Sequence, residues 1–372
     1  MLNSSRKKSN ILLVILLFTI FGLGLFYCVQ KLLLPKYYFE MELSSGFINS
    51  NGGIYDLPED SLDVVFIGSS HVFYSINPDQ LFDESGITSY DYASERQNLW
   101  QSYYYVEDLF RDQHPKIVIL EALGILQDTY IDSSYNHMAI DRLRFSSSKI
   151  NAAKRVHELN PDEKIIDYIL PALNYHDRIY ELEALDYDSS PVAPLTVSKG
   201  FRICVTTNPK TDFDYAAQYE NYDYETLYEL YGDIFKNPTV AGEPAEEMSK
   251  IKALCEENGA TLVLAKMPCA DVWSDLYYQS VKKWAAENGV TYIDCNGDID
   301  VRNAIAIDYS TDSLDGGNHL NYYGAAKNTS WWAKYLSENY EFKDKRNDAD
   351  YAFWHDDYQQ VLNYKEKCEL EK

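Results

Sequence analysis

The 372-residue chain contains no Cys-x-x-Cys pair; its six cysteines are scattered at positions 28, 204, 255, 269, 295 and 368. Without clustered thiolates at ligand spacing, neither a zinc finger nor a thioredoxin-like dithiol is expected. The histidines outside the motifs described below (114, 137, 157, 176, 355) lack partners at ligand spacing, so no metal site and no cofactor is expected. Basic charge is also scarce, with 33 Lys and Arg against 58 Asp and Glu and a formal net charge of −25. Five of the basic groups (Arg6, Lys7, Lys8, Lys31, Lys36) fall in residues 1–36, which hold no acid, so residues 37–372 carry −30. Binding to nucleic-acid phosphates needs the opposite sign, which excludes nucleic acid as a partner. Hydrophobic residues make up 46% of the chain, enough to build a core, so disorder is excluded too.

What is present begins with nineteen uncharged residues, Ile11 to Val29. As a helix they would extend about 28 Å, the thickness of a bilayer's hydrocarbon core. No small-x-small cleavage site follows; bulky Phe26-Tyr27-Cys28 stands there, so an uncleaved transmembrane anchor is expected at 11–33. Arg6, Lys7, Lys8 and the amino terminus outweigh Lys31 and Lys36. That balance predicts a single-pass cell-membrane protein with residues 1–10 cytoplasmic and the rest extracytoplasmic.

After a linker at 34–60, short apolar strands alternate with helices. Leu62 to Ile67, Ile87 to Ala93 and Lys116 to Glu121 read as strands buried on both faces. Asn77-Pro78-Asp79 starts a short helix, and Ser94 and Glu95 open a longer one that Pro115 terminates. Late in the chain two Glu-Asn-Gly helix ends, thirty residues apart, each precede a strand (261–264 and 290–294). Helix–strand alternation on both sides of the middle predicts an α/β domain at 61–340 with a doubly wound, flavodoxin-like parallel sheet. Residues 125–245 break the rhythm and read as an insertion with a helix at 161–182, a Pro/Ser stretch at 189–198 and an acidic tyrosine-rich segment at 211–233. This insertion is either a cap beside the active face or a solvated loop. Residues 341–372 form a charged tail, with Trp354 and Tyr358 available to pack on the domain. The 33 tyrosines suit a wet, carbohydrate-rich surface or reflect a composition bias.

Chemistry-bearing residues gather at two places. Gly68-Ser69-Ser70-His71 follows the first strand, and Asp312, Asp315 and His319-Leu320-Asn321 precede the last long helix, 322–340. Both loops belong to the carboxyl edge of a parallel sheet, where ligands bind. A nucleophilic serine needs a base within reach and a carboxylate to orient that base. Ser70, His319 and Asp315 satisfy this, with the Ser70 amide as an oxyanion donor. The structural alternatives are a helix-capping Ser70 and a core His319.

In these motifs the chain resembles the SGNH/GDSL hydrolase superfamily, whose first block reads Gly-Asp-Ser and whose last reads Asp-x-x-His. Gly68-Ser69-Ser70 matches the first with serine in the aspartate's place, and Asp315-Gly316-Gly317-Asn318-His319 matches the last with one extra residue. The resemblance covers about residues 60–124 and 245–340. It departs at the second block, where no glycine stands around Tyr92-Ala93-Ser94-Glu95, and at the third, where Glu121-Ala122-Leu123-Gly124 lacks the asparagine. Gln97 or Asn98 is then the expected second oxyanion donor, and Glu121 either faces the pocket or pairs with an arginine. Gly68, Ser69, His71 and Asn321 complete the expected pocket, His71 as wall and not as base.

The layout is similar to a membrane-anchored branch that includes DltD-like proteins of teichoic-acid D-alanylation and AlgJ-like polysaccharide acetyltransferases. The resemblance implies a serine esterase or O-acyltransferase acting on acyl esters of an envelope polysaccharide or teichoic-type polymer. Its expected partners are the bilayer, that polymer and a multi-pass membrane O-acyltransferase. A carbohydrate esterase without a transfer role and a non-catalytic binding or assembly protein are the alternatives.

Overall fold

The computed structural model describes residues 2–34, 50–126, 132–141, 143–182, 187, 197–220 and 240–370. Most of the expected linker, residues 188–196 of the Pro/Ser stretch and 221–233 of the acidic segment lie outside the described residues.

The first helix, α1 (Leu2–Leu33), contains the apolar run, and its 21 residues Asn10–Gln30 are long and apolar enough to cross a membrane. Five strands form one parallel sheet: β1 (Val64–Gly68), β2 (Ser89–Ala93), β3 (Ile117–Glu121), β4 (Thr261–Lys266) and β5 (Thr291–Asp294). Their order is β2-β1-β3-β4-β5. Strand side chains divide between two cores. Val64, Phe66, Ile117, Ile119 and Val263 meet Trp332 on one face; Val65, Ile67, Val118, Leu120 and Leu264 meet Trp284 on the other. Burial on both faces is why β1, β3 and the middle of β4 read as unbroken apolar runs, whereas the equally buried β2 carries Ser89 and Asp91.

The helices between strands are α2 (Ser70–Phe73), α3 (Pro78–Ser85) and α4 (Leu99–Leu109). The long connection from β3 to β4 carries α5 (Ser133–Ile140), α6 (Ser147–Leu159), α7 (Ile165–Ile169) and α8 (Glu243–Glu257). Then follow α9 (Asp275–Asn288), α10 (Ile299–Ile305), α11 (Tyr322–Asn339) and α12 (Phe353–Leu370). The charged tail is therefore largely helical, with Trp354 fully buried and stacked on Phe82 at 5.1 Å.

Three local expectations are corrected. The helix expected from Ser94 and Glu95 starts at Leu99, because Arg96 sits in the left-handed region (φ 51°) and Asn98 with Gln101 forms a reciprocal capping box. The helix expected over 161–182 is a short α7 followed by 3-10 turns at Pro171–Leu173 and His176–Tyr180. Pro171 cannot continue a helix, and it forces Leu170 out of helical geometry. The loop preceding α11 also contains α10, capped by Asp298.

One buried ionic cluster ties the tail to the sheet. Lys199 donates hydrogen bonds to Asp357 of α12 and to the Val197 carbonyl, lies 3.5 Å from Asp79, and sits over the Trp354 ring. Neither carboxylate oxygen of the nearby buried Asp91 has a hydrogen-bond partner among the described residues. Burial pushes Asp79 up to about 7, with Lys199 opposing and Asp357 adding, and it pushes Asp91 well above the usual carboxylate range. The folded protein thus keeps a proton on Asp79 that the unfolded chain releases near pH 4. The contribution is fully present below that pH and is lost as pH rises through about 7. We expect stability to fall between pH 5 and 8 by on the order of a few kcal/mol, and to fall less steeply in Asp79→Asn. Melting temperatures of both proteins across that range check it; equal slopes would refute the assignment.

Candidate active site

The strand order reverses between β1 and β3, which opens a crevice beyond their carboxyl ends. Gly68 ends β1 against β3: a Cβ there would lie 2.5 Å from Glu121 Cβ and 2.9 Å from Val72 Cγ2, so only glycine fits. Ser69 caps α2 by accepting from the His71 N–H at 3.3 Å. Ser70 is the first residue of that helix rather than its cap, and its N–H has no acceptor among the described residues. A free N–H at a helix start beside a hydroxyl is a ready anion donor.

The second half of the site is a loop closed by pairing of Ser313 with Leu320, in which the Leu314 N–H donates to the His319 carbonyl at 2.9 Å. Gly317 (φ 101°) turns the loop where a Cβ would lie 2.7 Å from Ala270 Cβ. This turn delivers His319 to the crevice. Its Nε2 lies 2.8 Å from Ser70 Oγ, and its Nδ1 lies 2.7 Å from Asp315 Oδ2. The His319 backbone N–H also donates to Asp315 Oδ1 at 2.7 Å, which fixes both carboxylate oxygens. Burial alone would raise the Asp315 pKa, but hydrogen bonds and charge from His319, with the Asn318 amide, hold it below its usual value. Asp315 is therefore an anion whose hydrogen bond selects the His319 tautomer with a proton on Nδ1. Nε2 is left free to accept from Ser70.

Residues 197–210 run past both halves as a strap. Arg202 N donates to the Phe73 carbonyl beside Ser70, Asn208 N to the Ser313 carbonyl, and Gly316 N to the Asn208 carbonyl. This much of the insertion lies beside the candidate site.

A buried polar layer lies below Ser70. Glu121 Oε2 accepts from the Ser69 hydroxyl at 2.6 Å and from the Ser69 N–H at 3.1 Å, while Oε1 lies 3.8 Å from the Lys266 ammonium. Lys266 Nζ is 3.2 Å from His71 Nδ1 and 2.7 Å from the Met267 carbonyl. Burial disfavours a charged Lys266, but Cys269, Glu121 and Asp294 around it outweigh that and raise its pKa. Burial, then the charges of Lys266 and His319, hold His71 well below the ordinary histidine value, so it is neutral. An ammonium only donates, so His71 Nδ1 accepts and its Nε2–H donates to Asn318 Oδ1 at 3.3 Å. The Asn318 amide nitrogen then faces the His319–Asp315 pair, 3.2 Å from His319 Nδ1.

The structure thus brings Ser70, His319 and Asp315 together, with Gly68 and His71 around them. It separates other residues expected in the pocket. Ser69 turns its hydroxyl to Glu121, and Glu121 is a structural acid that faces a lysine and not an arginine. The Gln97 amide donates to Ser102, and the Asn98 side chain caps α4. Asn321 caps α11 and donates to the Thr311 carbonyl, so it braces the loop from behind. Asp312 is buried and pairs with Lys327. Lys266 and Asn318 went unrecognised in the sequence, although a lysine closing the apolar strand Thr-Leu-Val-Leu-Ala-Lys was a legible signal. Among the described residues no group of three or more His, Cys, Asp or Glu is placed to hold a metal ion.

No protein-family model matches the chain, and no curated protein matches it. Among solved structures, a gut microbial diltiazem-metabolizing enzyme matches with 12% identity and a TM-score of 0.24, over 77% of this chain and 48% of the other. The chain spans about half the length of that enzyme, and the likeness is too slight to bear on activity.

Proposed function

We propose that the protein is a membrane-anchored serine enzyme of SGNH type that cleaves or transfers acyl esters on a cell-envelope glycopolymer outside the cytoplasm. The observation that carries the reading is the pair of short contacts from Ser70 Oγ to His319 and from His319 to Asp315, at the carboxyl edge of a parallel sheet. The Gly68-Ser69-Ser70 and Asp315…His319 motifs support the SGNH assignment.

Ser70 Oγ attacks the ester carbonyl as His319 Nε2 takes its proton. Asp315 stabilises the imidazolium, and the Ser70 N–H donates to the oxyanion. Collapse expels the alcohol, which takes the proton from His319 and leaves an acyl group on Ser70. Water or a sugar hydroxyl then attacks by the same path in reverse. A transferase gains more than a hydrolase from tethering, because a held acceptor meets the acyl-enzyme at high effective concentration. The charge of −30 on residues 37–372 disfavours an anionic polymer unless a partner such as a multi-pass O-acyltransferase presents it.

A fluorophosphonate probe is expected to label the wild-type protein at Ser70 and to leave Ser70→Ala unlabelled, read by intact-mass spectrometry. Failure of the folded wild type to label would favour the binding or assembly role instead. The commitment of the Gln97 and Asn98 side chains elsewhere is the feature that speaks for that alternative.

A further inference from the structure

Two hydrogen bonds among the described residues fasten the end of α1 to the domain. The Gln30 side-chain oxygen accepts from the Ala172 N–H at 2.9 Å, and Arg178 donates to the Leu33 carbonyl at 2.8 Å. Gln30 is also the last residue of the apolar span. Where α1 crosses a bilayer, Gln30 stands at the boundary between hydrocarbon and headgroups, and the hydrogen bond holds Ala172 at the same depth. The segment so held turns large apolar side chains outward: Ile166 is 46% exposed, Leu173 47%, Ile179 57% and Tyr180 89%. No residue of the His176–Tyr180 turn is buried.

We propose that this segment is an interfacial foot, with Leu173, Ile179 and Tyr180 seated among the headgroups of the leaflet from which α1 emerges and Ile166 at its margin. The proposal rests on reading α1 as a membrane span. Its occupant is lipid because the anchor's own hydrogen bonds bring the patch to the bilayer surface. Tyrosine is a residue favoured at that depth, and the polar neighbours His176 and Asp177 remain wet there. The acidic domain gains no electrostatic attraction to an anionic leaflet, so apolar contact holds the foot down. Two attachments, one through the span and one through the foot, stop the domain from pivoting and fix the direction in which Ser70 faces.

The test uses the full-length protein with Cys28→Ser, reconstituted into phosphatidylcholine vesicles containing a phosphatidylglycerol minority. The other five cysteines are buried. An environment-sensitive fluorophore is placed at Leu173→Cys or Ile179→Cys, at Thr19→Cys inside the span, and at Val272→Cys, which is 52% exposed on the connection after β4. Quenching by nitroxide-bearing lipid should be strong at position 19 and, at 173 and 179, about threefold or more above that at 272. Quenching at 173 and 179 equal to that at 272, with 19 quenched, refutes the foot alone. No quenching at 19 refutes the span and the foot with it. Blue-shifted but unquenched emission at 179 means a protein neighbour and overturns the lipid assignment.

Discussion

Asp315→Asn is expected to lower turnover of a chromogenic acetyl ester by about four orders of magnitude while the protein stays folded. Asparagine keeps the shape of the side chain, but its amide can present nitrogen to His319 Nδ1. The imidazole then takes the tautomer with the proton on Nε2, facing Ser70 Oγ, where it can no longer accept. The imidazolium also loses the anion 2.7 Å away. Circular dichroism and the melting temperature verify folding, and steady-state kinetics give the loss. Asp312→Asn is the control, since Asp312 contacts Lys327 and the Asp308 N–H and is not near His319. It should cost stability and leave turnover within a few-fold. If Asp312→Asn were the crippled variant, the assignment of the orienting carboxylate would be wrong.

Lys266→Met should destabilise the protein by about 3–5 kcal/mol, the range for removing one partner of a buried charge pair. Lys266 and Glu121 are both fully buried, and the ammonium is the nearest cation to Glu121 Oε1, which has no hydrogen-bond partner among the described residues. With methionine there, the carboxylate must stay uncompensated or take up a proton. Adding Glu121→Gln removes the charge and should restore part of the loss, because the amide can still serve Ser69. Urea unfolding of the single and double variants measures the coupling. Purely additive losses would mean that the two groups do not act as a pair. In the single variant His71 loses its donor at Nδ1 and is held only by its 3.3 Å bond to Asn318, so fluorophosphonate labelling should also slow.

The sheet was legible because its strands are buried on both faces and punctuated by Gly and Pro. Gly68, Gly259 and Gly289 mark ends that the structure keeps. The Ser70, Asp315 and His319 grouping was legible for a related reason: topology sends the loops after β1 and before α11 to one edge of a parallel sheet. The start of α4 was misread because Ser94 looks like a cap, while the left-handed Arg96 and the mutual bonds of Asn98 and Gln101 set the true start. Glu121 was ambiguous for a deeper reason. A carboxylate ending a strand reads the same whether it faces a pocket or a buried ammonium, and its partner stands 145 residues away at Lys266. Lys266 is visible as the charge that closes its strand, but its role exists only through Glu121 and His71, 145 and 195 residues away.

The gap between neighbouring strands has a consequence for biosynthesis. β3 pairs with β4, yet 140 positions separate Glu121 from Thr261. At about 5–20 residues per second, the ribosome takes roughly 7–28 s to supply the missing neighbour. During that interval β1, β2 and β3 present an open edge of unpaired N–H and C=O groups, and the chain is already tethered if α1 has inserted. An open apolar edge invites intermolecular strand addition. The Glu121 carboxylate at that edge lacks its ammonium for the whole interval and stays hydrated, which keeps the waiting half-sheet polar where it would otherwise be most adhesive. The rest of that edge stays open, so the nascent protein is expected to depend on a holdase until β4 arrives.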